Sequence, residues 1–285
     1  MFDTRRGTFL KTVLVGALAL VVLIPVCILF AGSFMGADEV SEKLGPVLAV
    51  DSDDLTKWFF LPEYPTLRPY VELLFDSPDF FVMFWNSVRL VLPILFGQML
   101  VAVPAAWGFA KFKFPGRRAL FMIYIVLMLM PFQVTMVSNY IVLDTLQLMN
   151  TRLAVILPAV FSTFPVFIVY RFFKGIPDAL IEAAEIDGAG PFQIFRDIGI
   201  HVGSPGIAAA MILGFIEYWS MIEQPLTFLK DKSLWPLSLY LPGSSENQAA
   251  VALAASIMIL VPPLLVFLVG KKYLERGIQA VGLRQ

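Results

Sequence analysis

The sequence predicts an all-α, polytopic membrane protein: six transmembrane helices and a cytoplasmic helix–turn–helix. Three observations predict it. Of 285 residues, 58% are hydrophobic and only 15% charged, against about 25% charged in an ordinary soluble domain. The charges stand in short clusters, and the apolar runs between them reach the roughly 20 residues that one helix needs to cross the hydrocarbon core. The lysines and arginines also fall unevenly on the connecting segments, as in chains whose basic loops stay in the cytoplasm.

The first span is expected over residues 10–34, behind Arg5, Arg6 and Lys11. A cleaved signal peptide would have an apolar region of about 7–15 residues. This run is longer, which favours an uncleaved anchor. The other spans are expected over residues 87–110, 120–143, 153–170, 207–228 and 249–270. The longest connection, residues 35–86, is extracytoplasmic. It mixes Asp38, Glu39, Glu42, Asp51, Asp53 and Asp54 with an aromatic-rich stretch from Trp58 to Trp85. Such rings sit well at headgroup level. The loop reads either as an interfacial subdomain or as a docking surface for an external partner.

With the N-terminus in the cytoplasm, the inner segments carry Arg5, Arg6, Lys11, Lys111, Lys113, Arg117, Arg118, Arg171, Lys174, Arg196, Lys271, Lys272, Arg276 and Arg284. The outer segments carry Lys43, Lys57, Arg68, Arg152, Lys230 and Lys232, and Arg89 lies within a span. This bias puts both termini in the cytoplasm. A net charge of −1 gives no basic footprint for nucleic acid. The single Cys27 excludes an internal disulfide or Cys-rich metal site, and the lone His201 reads as structural. Prolines recur inside the spans (Pro25, Pro93, Pro104, Pro131, Pro158, Pro165, Pro262, Pro263). Each removes a helical N–H and favours a kink, which neighbouring helices can accommodate.

Residues 171–204 are too polar to cross the bilayer. Pro177 suits the first turn of a helix, and Asp178 complements the helix dipole there. Leu180, Ile181, Ala183, Ala184 and Asp187 follow with helical spacing. Gly188 and Gly190 offer left-handed stops. Pro191 begins a second helix with Phe192, Phe195 and Ile198 along one face. Small Ala183, Ala184 and Gly188 allow a partner surface close to the backbone, while Glu182, Glu185 and Asp187 can meet basic groups. An ordinary amphipathic connector would look similar.

The wider pattern decides between them. Glu182-Ala183-Ala184, then Gly188 after three residues and Ile198 after nine more, resembles the EAA coupling loop of ABC-importer permease subunits. The chain is similar to the maltose-type carbohydrate and glycerol-phosphate permeases through Met130-Pro131 to Tyr140, through Phe172-Phe173-Lys174-Gly175-Ile176-Pro177, and through Lys111-Phe112-Lys113-Phe114-Pro115-Gly116-Arg117-Arg118. It departs at Ile200-His201, where the family has Leu-Pro, and at Trp219-Ser220-Met221, where Trp-Asn-Glu is usual. The resemblance implies a bacterial inner-membrane location and a sister permease, most simply in a heterodimer. It further implies a dimer of ATPase subunits holding ATP and Mg²⁺, and an extracytoplasmic solute-binding protein. It assigns ATPase coupling to Glu182, Ala183, Ala184, Glu185, Asp187, Gly188 and Ile198.

Ionisable groups within spans are functional candidates. Glu217, Trp219 and Glu223 are the candidate pathway residues, with Arg89, Gln98, Gln133 and Asn139 adding polarity; Arg89 reads equally as a side chain reaching the interface. No Gly-x-x-x-x-Gly-Lys-Ser/Thr phosphate cradle occurs, nor His-Glu-x-x-His, so neither a cofactor nor a metal is expected on this chain. The expected function is half of a translocation pathway for a sugar, oligosaccharide or related polyol. The alternatives are an ion-coupled secondary transporter, or a membrane scaffold that recruits a soluble partner.

Overall fold

The computed structural model describes residues 3–48, 61–242 and 246–282. All regular elements among these residues are helical. In chain order they begin with α1 (Asp3–Gly32), α2 (Ala37–Leu48), α3 (Arg68–Val71, extended by a π turn to Asp76) and α4 (Pro78–Lys111). Next come α5 (Arg117–Met128), α6 (Phe132–Thr145), α7 (Arg152–Val160), α8 (Phe164–Gly175) and α9 (Asp178–Ile186). Then α10 (Pro191–Ile194) runs through a π turn (Phe195–Gly199) into α11 (Ile200–Trp219), followed by α12 (Glu223–Phe228) and α13 (Glu246–Gly282).

Five helical stretches have the length and apolarity to cross a membrane: Lys11–Gly32, Pro78–Lys111, Arg152–Gly175, Pro191–Trp219 and Gln248–Glu275. A sixth candidate, α5 with α6, is bent by 101°. The sequence suggests one span over residues 120–143. Helix α5 instead closes at Leu129, whose N–H bonds to the Ile125 carbonyl, and Pro131 is extended (φ −68°, ψ 153°) as the N-cap of α6. A proline disfavours helical conformation in the residue before it, so the turn at Met130 follows locally.

Two other boundaries differ from the sequence expectation. Helix α4 begins at Pro78 rather than near 87, with proline at its first position and Asp79 in its first turn, both suited to a helix N-terminus. The aromatic run Phe80 to Trp85 is therefore helical. The helix that holds the expected fifth span begins at Pro191 and ends at Trp219, not at 207 and 228. With Ile200-His201 in place of Leu-Pro, no proline breaks the hydrogen-bond ladder there. The π turn accommodates the join, and Pro205 lies inside α11.

The chain forms two compact units. The first comprises Met1–Phe81 and Leu241–Val261. Its small core joins Ala31, Met35, Val40 and Ala250. Lys43 is buried there against Glu39 at 2.8 Å. Burial pushes the Glu39 carboxyl up, but Lys43 and the backbone N–H groups of Glu63 and Tyr64 outweigh it and hold the acid below the usual carboxylate range. Tyr70 donates to Ser33 Oγ at 2.7 Å, so the connection before α4 folds against the end of α1. Asp51, Asp53, Asp54 and Trp58 lie outside the described residues.

The second unit comprises Val82–Tyr240 and Pro262–Gln285. Its main apolar body unites Ala102, Ala106, Trp107 and Ala110 of α4 with Val166, Val169 and Phe173 of α8, Ile176, Ile194, and Ile207 and Ala210 of α11. Glycine permits the close α8–α11 contact: a Cβ at Gly203 would lie 2.2 Å from the Phe173 ring, and one at Gly206 would lie 2.3 Å from that of Phe172. Gln98, buried in α4, donates to the Ala159 carbonyl and the Tyr218 hydroxyl, both at 2.8 Å. Its amide protons are thus satisfied within the apolar interior, as burial requires.

Candidate functional site

Two places in the second unit carry the residues singled out by the sequence. One is the turn after α9. Helix α8 ends at Gly175, Ile176 is extended and buried, and Pro177 (φ −60°, ψ 135°) is the N-cap of α9 rather than its first helical residue. At the other end Gly188 adopts φ +83°. The Gly188 N–H bonds to the Glu185 carbonyl at 3.0 Å, and the Ala189 N–H to that of Ala184 at 2.9 Å. This paired closure is a Schellman stop, in which the left-handed residue costs a glycine little. Gly190, expected to share that role, is extended at φ −73° and serves as the N-cap of α10.

The turn presents one polar and one small face. Glu182, Ala183, Glu185, Asp187 and Gly188 are exposed. Ala184, Ala189 and Ile198 instead pack inward on the apolar body, beside Ile181 and Phe195. Ile198 is half-buried, packed on the body from beneath the turn. A shallow hollow of about 250 Å³ runs between Ala184, Asp187, Gly188, Gln193, Asp197 and Ile198. A Cβ at Gly188 would meet nothing within 4 Å. Asp197, at the edge, accepts from the Arg196 guanidinium at 2.6 Å. The residue types alone did not mark Ile186, 87% exposed, or the outward position of Phe192, 73% exposed.

The second place is a cavity of about 690 Å³ beside the α5–α6 bend. Its polar lining comes from Thr135 and Asn139 of α6, Ser162 and Thr163 between α7 and α8, Glu217 and Tyr218 of α11, and Gln224 of α12. Met128, Met130, Phe132 and Phe161 contribute apolar wall. Of the sequence candidates, Glu217 lines this cavity. Trp219 does not: it is buried, edge-on to Phe84 at 5.7 Å and stacked on Phe215 at 5.4 Å. Two residues along a helix turn the side chain by about 200°, so Glu217 and Trp219 face different surroundings. Glu223 is exposed and accepts from Gln133 Nε2 at 2.5 Å, joining α12 to α6 without lining the cavity. Arg89 is likewise exposed and away from it. Among the described residues no group of histidine, cysteine and acids is arranged to hold a metal.

The profile of the family "Binding-protein-dependent transport system inner membrane component" matches residues 98–279. The chain belongs to that family. The permease is 26% identical to the arabinooligosaccharides transport system permease protein AraQ of Halalkalibacterium halodurans, over 97% of this chain and 96% of the relative. It is 28% identical to the sn-glycerol-3-phosphate transport system permease protein UgpE of Salmonella typhi, over 71% and 74% of the two chains. Its fold matches the crystal structure of a bacterial ABC transporter involved in the import of the acidic polysaccharide alginate. There the TM-score is 0.78 at 22% identity, over 94% of this chain and 96% of that one. The permease is accordingly a multi-pass inner-membrane subunit of an ABC importer, not an enzyme, and ATP hydrolysis belongs to a separate subunit. Membership also implies a solute-binding protein as partner.

Proposed function

We propose that the permease forms half of the import pathway for a sugar, oligosaccharide or related polyol, and that a sister permease forms the other half. Both termini lie in the cytoplasm, and a dimer of ATPase subunits carrying ATP and Mg²⁺ engages the turn after α9. Glu182, Glu185 and Asp187 offer the acidic contacts, Ala183 and Gly188 the close approach, and Ala184 with Ile198 the seat on the helical body. The observation that carries this reading is the exposed Gly188 turn, closed by two backbone hydrogen bonds and backed by an apolar body that joins α4, α8 and α11. A push on such a turn reaches three membrane helices at once.

The cavity supports the solute class. Its hydroxyls, amides and single carboxylate, set among aromatic and methionine walls, suit a hydroxylated solute. No lysine or arginine is among its lining residues, which favours a neutral sugar over a phosphate. A mild-detergent pull-down of the permease from its membrane, read by mass spectrometry, tests the assembly. A sister permease, a Walker-type ATPase and a solute-binding protein are expected. Purification of the chain alone with full transport activity would overturn the proposal.

The cavity makes its own prediction. A hydrogen bond to a charged group contributes about 1.5–3 kcal/mol. Glu217→Ala is therefore expected to lower uptake of the binding protein's solute by about tenfold or more, with subunit levels unchanged on immunoblots. Normal uptake by that variant removes Glu217 from the pathway.

A further inference from the structure

Lys111 is the last residue of α4, yet its side chain is only 8% exposed. Its ammonium donates to the Ile176 carbonyl at 2.6 Å and to Asp178 Oδ1 at 2.7 Å. These two acceptors flank Pro177 at the root of α9. The Ile176 side chain is itself buried against the same apolar body as Ala106, Trp107 and Ala110 of α4. The link between α8 and α9 is thus gripped twice from α4, once by packing and once by charge. Lys113 and Lys174 also act on the Asp178 carboxylate through space, but only Lys111 bonds both to it and to the backbone. An exposed ion pair contributes little when both partners move freely. Here a largely covered lysine side chain is also fixed by a backbone carbonyl, so the geometry is set before the acid arrives. The far end of α9 is held by packing of Ala184 and Ala189 on the same body, with no ion pair to α4, among the described residues, comparable to that of Lys111.

We propose that Lys111 is a positioning residue that locks the root of α9 to the end of α4. Displacement of the α9 turn by the ATPase is then delivered to α4 together with α8 and α11, instead of being lost as rotation about residues 175–177. This rests on the coupling role proposed for that turn.

The test places spin labels at Phe112→Cys and Ala179→Cys, in a Cys27→Ser background, in the whole importer in lipid nanodiscs. Inter-label distances are read by EPR without nucleotide and after trapping with ATP and vanadate. With Lys111 intact, one narrow distribution is expected in both states. In Lys111→Met the distribution broadens about twofold on trapping, as a second arrangement of α9 becomes populated, while the ATPase still co-purifies in full. Lys111→Arg keeps charge and donors and returns the narrow distribution. Asp178→Asn alters an exposed side chain and keeps the carbonyl bond, so it remains assembled and broadens less than Lys111→Met. Adding Asp178→Asn to Lys111→Met has no further effect, because the pair acts as one unit. A narrow distribution in Lys111→Met in both states, or broadening that Lys111→Arg fails to reverse, overturns the lock alone. An importer that contains no ATPase overturns the coupling role and the lock with it.

Discussion

Gly188→Arg is expected to strip the ATPase from the solubilised complex and to lower transport by about tenfold or more, while the amount of permease in the membrane stays near normal. Two physical effects act at once. At φ +83° a residue with a Cβ carries a cost of roughly 1–2 kcal/mol, which loosens the stop of α9. The greater effect is steric. A Cβ there meets nothing inside the chain, so bulk at this position harms only a surface that comes from outside. About 1.4 kcal/mol of lost contact is a tenfold loss of affinity. Gly188→Asn separates strain from bulk, because asparagine tolerates the left-handed region. Loss of ATPase in Gly188→Asn points to bulk at a partner surface, whereas retention in Gly188→Asn with loss in Gly188→Ala points to strain. Full ATPase recovery and normal transport in Gly188→Arg would show that the turn is not the docking point.

Gly188 was legible in the sequence because a local rule fixes it: a helix that stops in a left-handed turn needs a residue without a Cβ penalty. Gly190 looks identical by that rule, yet it is extended, since the closure of α9 is complete after one left-handed residue and Pro191 then requires an extended neighbour. Proline behaved the same way. Pro131 closes one helix and caps the next, while Pro93, Pro104 and Pro205 lie inside continuous helices. The residue type predicts a weak point, and packing decides whether the chain turns there. The pathway candidates show what periodicity can add. Counting turns along α11 is enough to put Glu217 and Trp219 on different faces. The cavity's Ser162, Thr135 and Gln224 were not legible, because they come from the α7–α8 link, α6 and α12 and meet only in three dimensions. The Gln98–Tyr218 bond across 120 residues of sequence and the Lys111 bonds to the α9 root are long-range in the same sense. No local pattern encodes them.

Gly203→Val is expected to have the opposite signature to Gly188→Arg: a stability loss with function following it. A Cβ at Gly203 would lie 2.2 Å from Phe173 Cε1 and 2.7 Å from Cδ1, distances at which something must move. The ring cannot swing aside freely, since Phe173 is fully buried and stands edge-on to Trp107 at 5.2 Å. Helices α8 and α11 must then separate, and Gly206, one turn on and equally close to Phe172, separates with them. Overpacking of this kind costs about 1–3 kcal/mol, occasionally more. Close approach of small residues is also what lets membrane helices gain dispersion contacts in the absence of a hydrophobic drive. A fall of roughly 2–10 °C in the unfolding midpoint of the purified importer is expected, together with a lower steady-state amount in the membrane. Phe173→Leu added to Gly203→Val should recover part of that loss, because the two residues share one contact and their effects do not add. Gly108→Ala is the control. Gly108 lies inside α4 with open space around a Cβ, so alanine there should be neutral or stabilising by up to about 1 kcal/mol. If Gly203→Val matched the unaltered permease in both amount and midpoint, the close α8–α11 packing would be wrong. The rigid body through which the Gly188 turn is proposed to act would then lose its central joint.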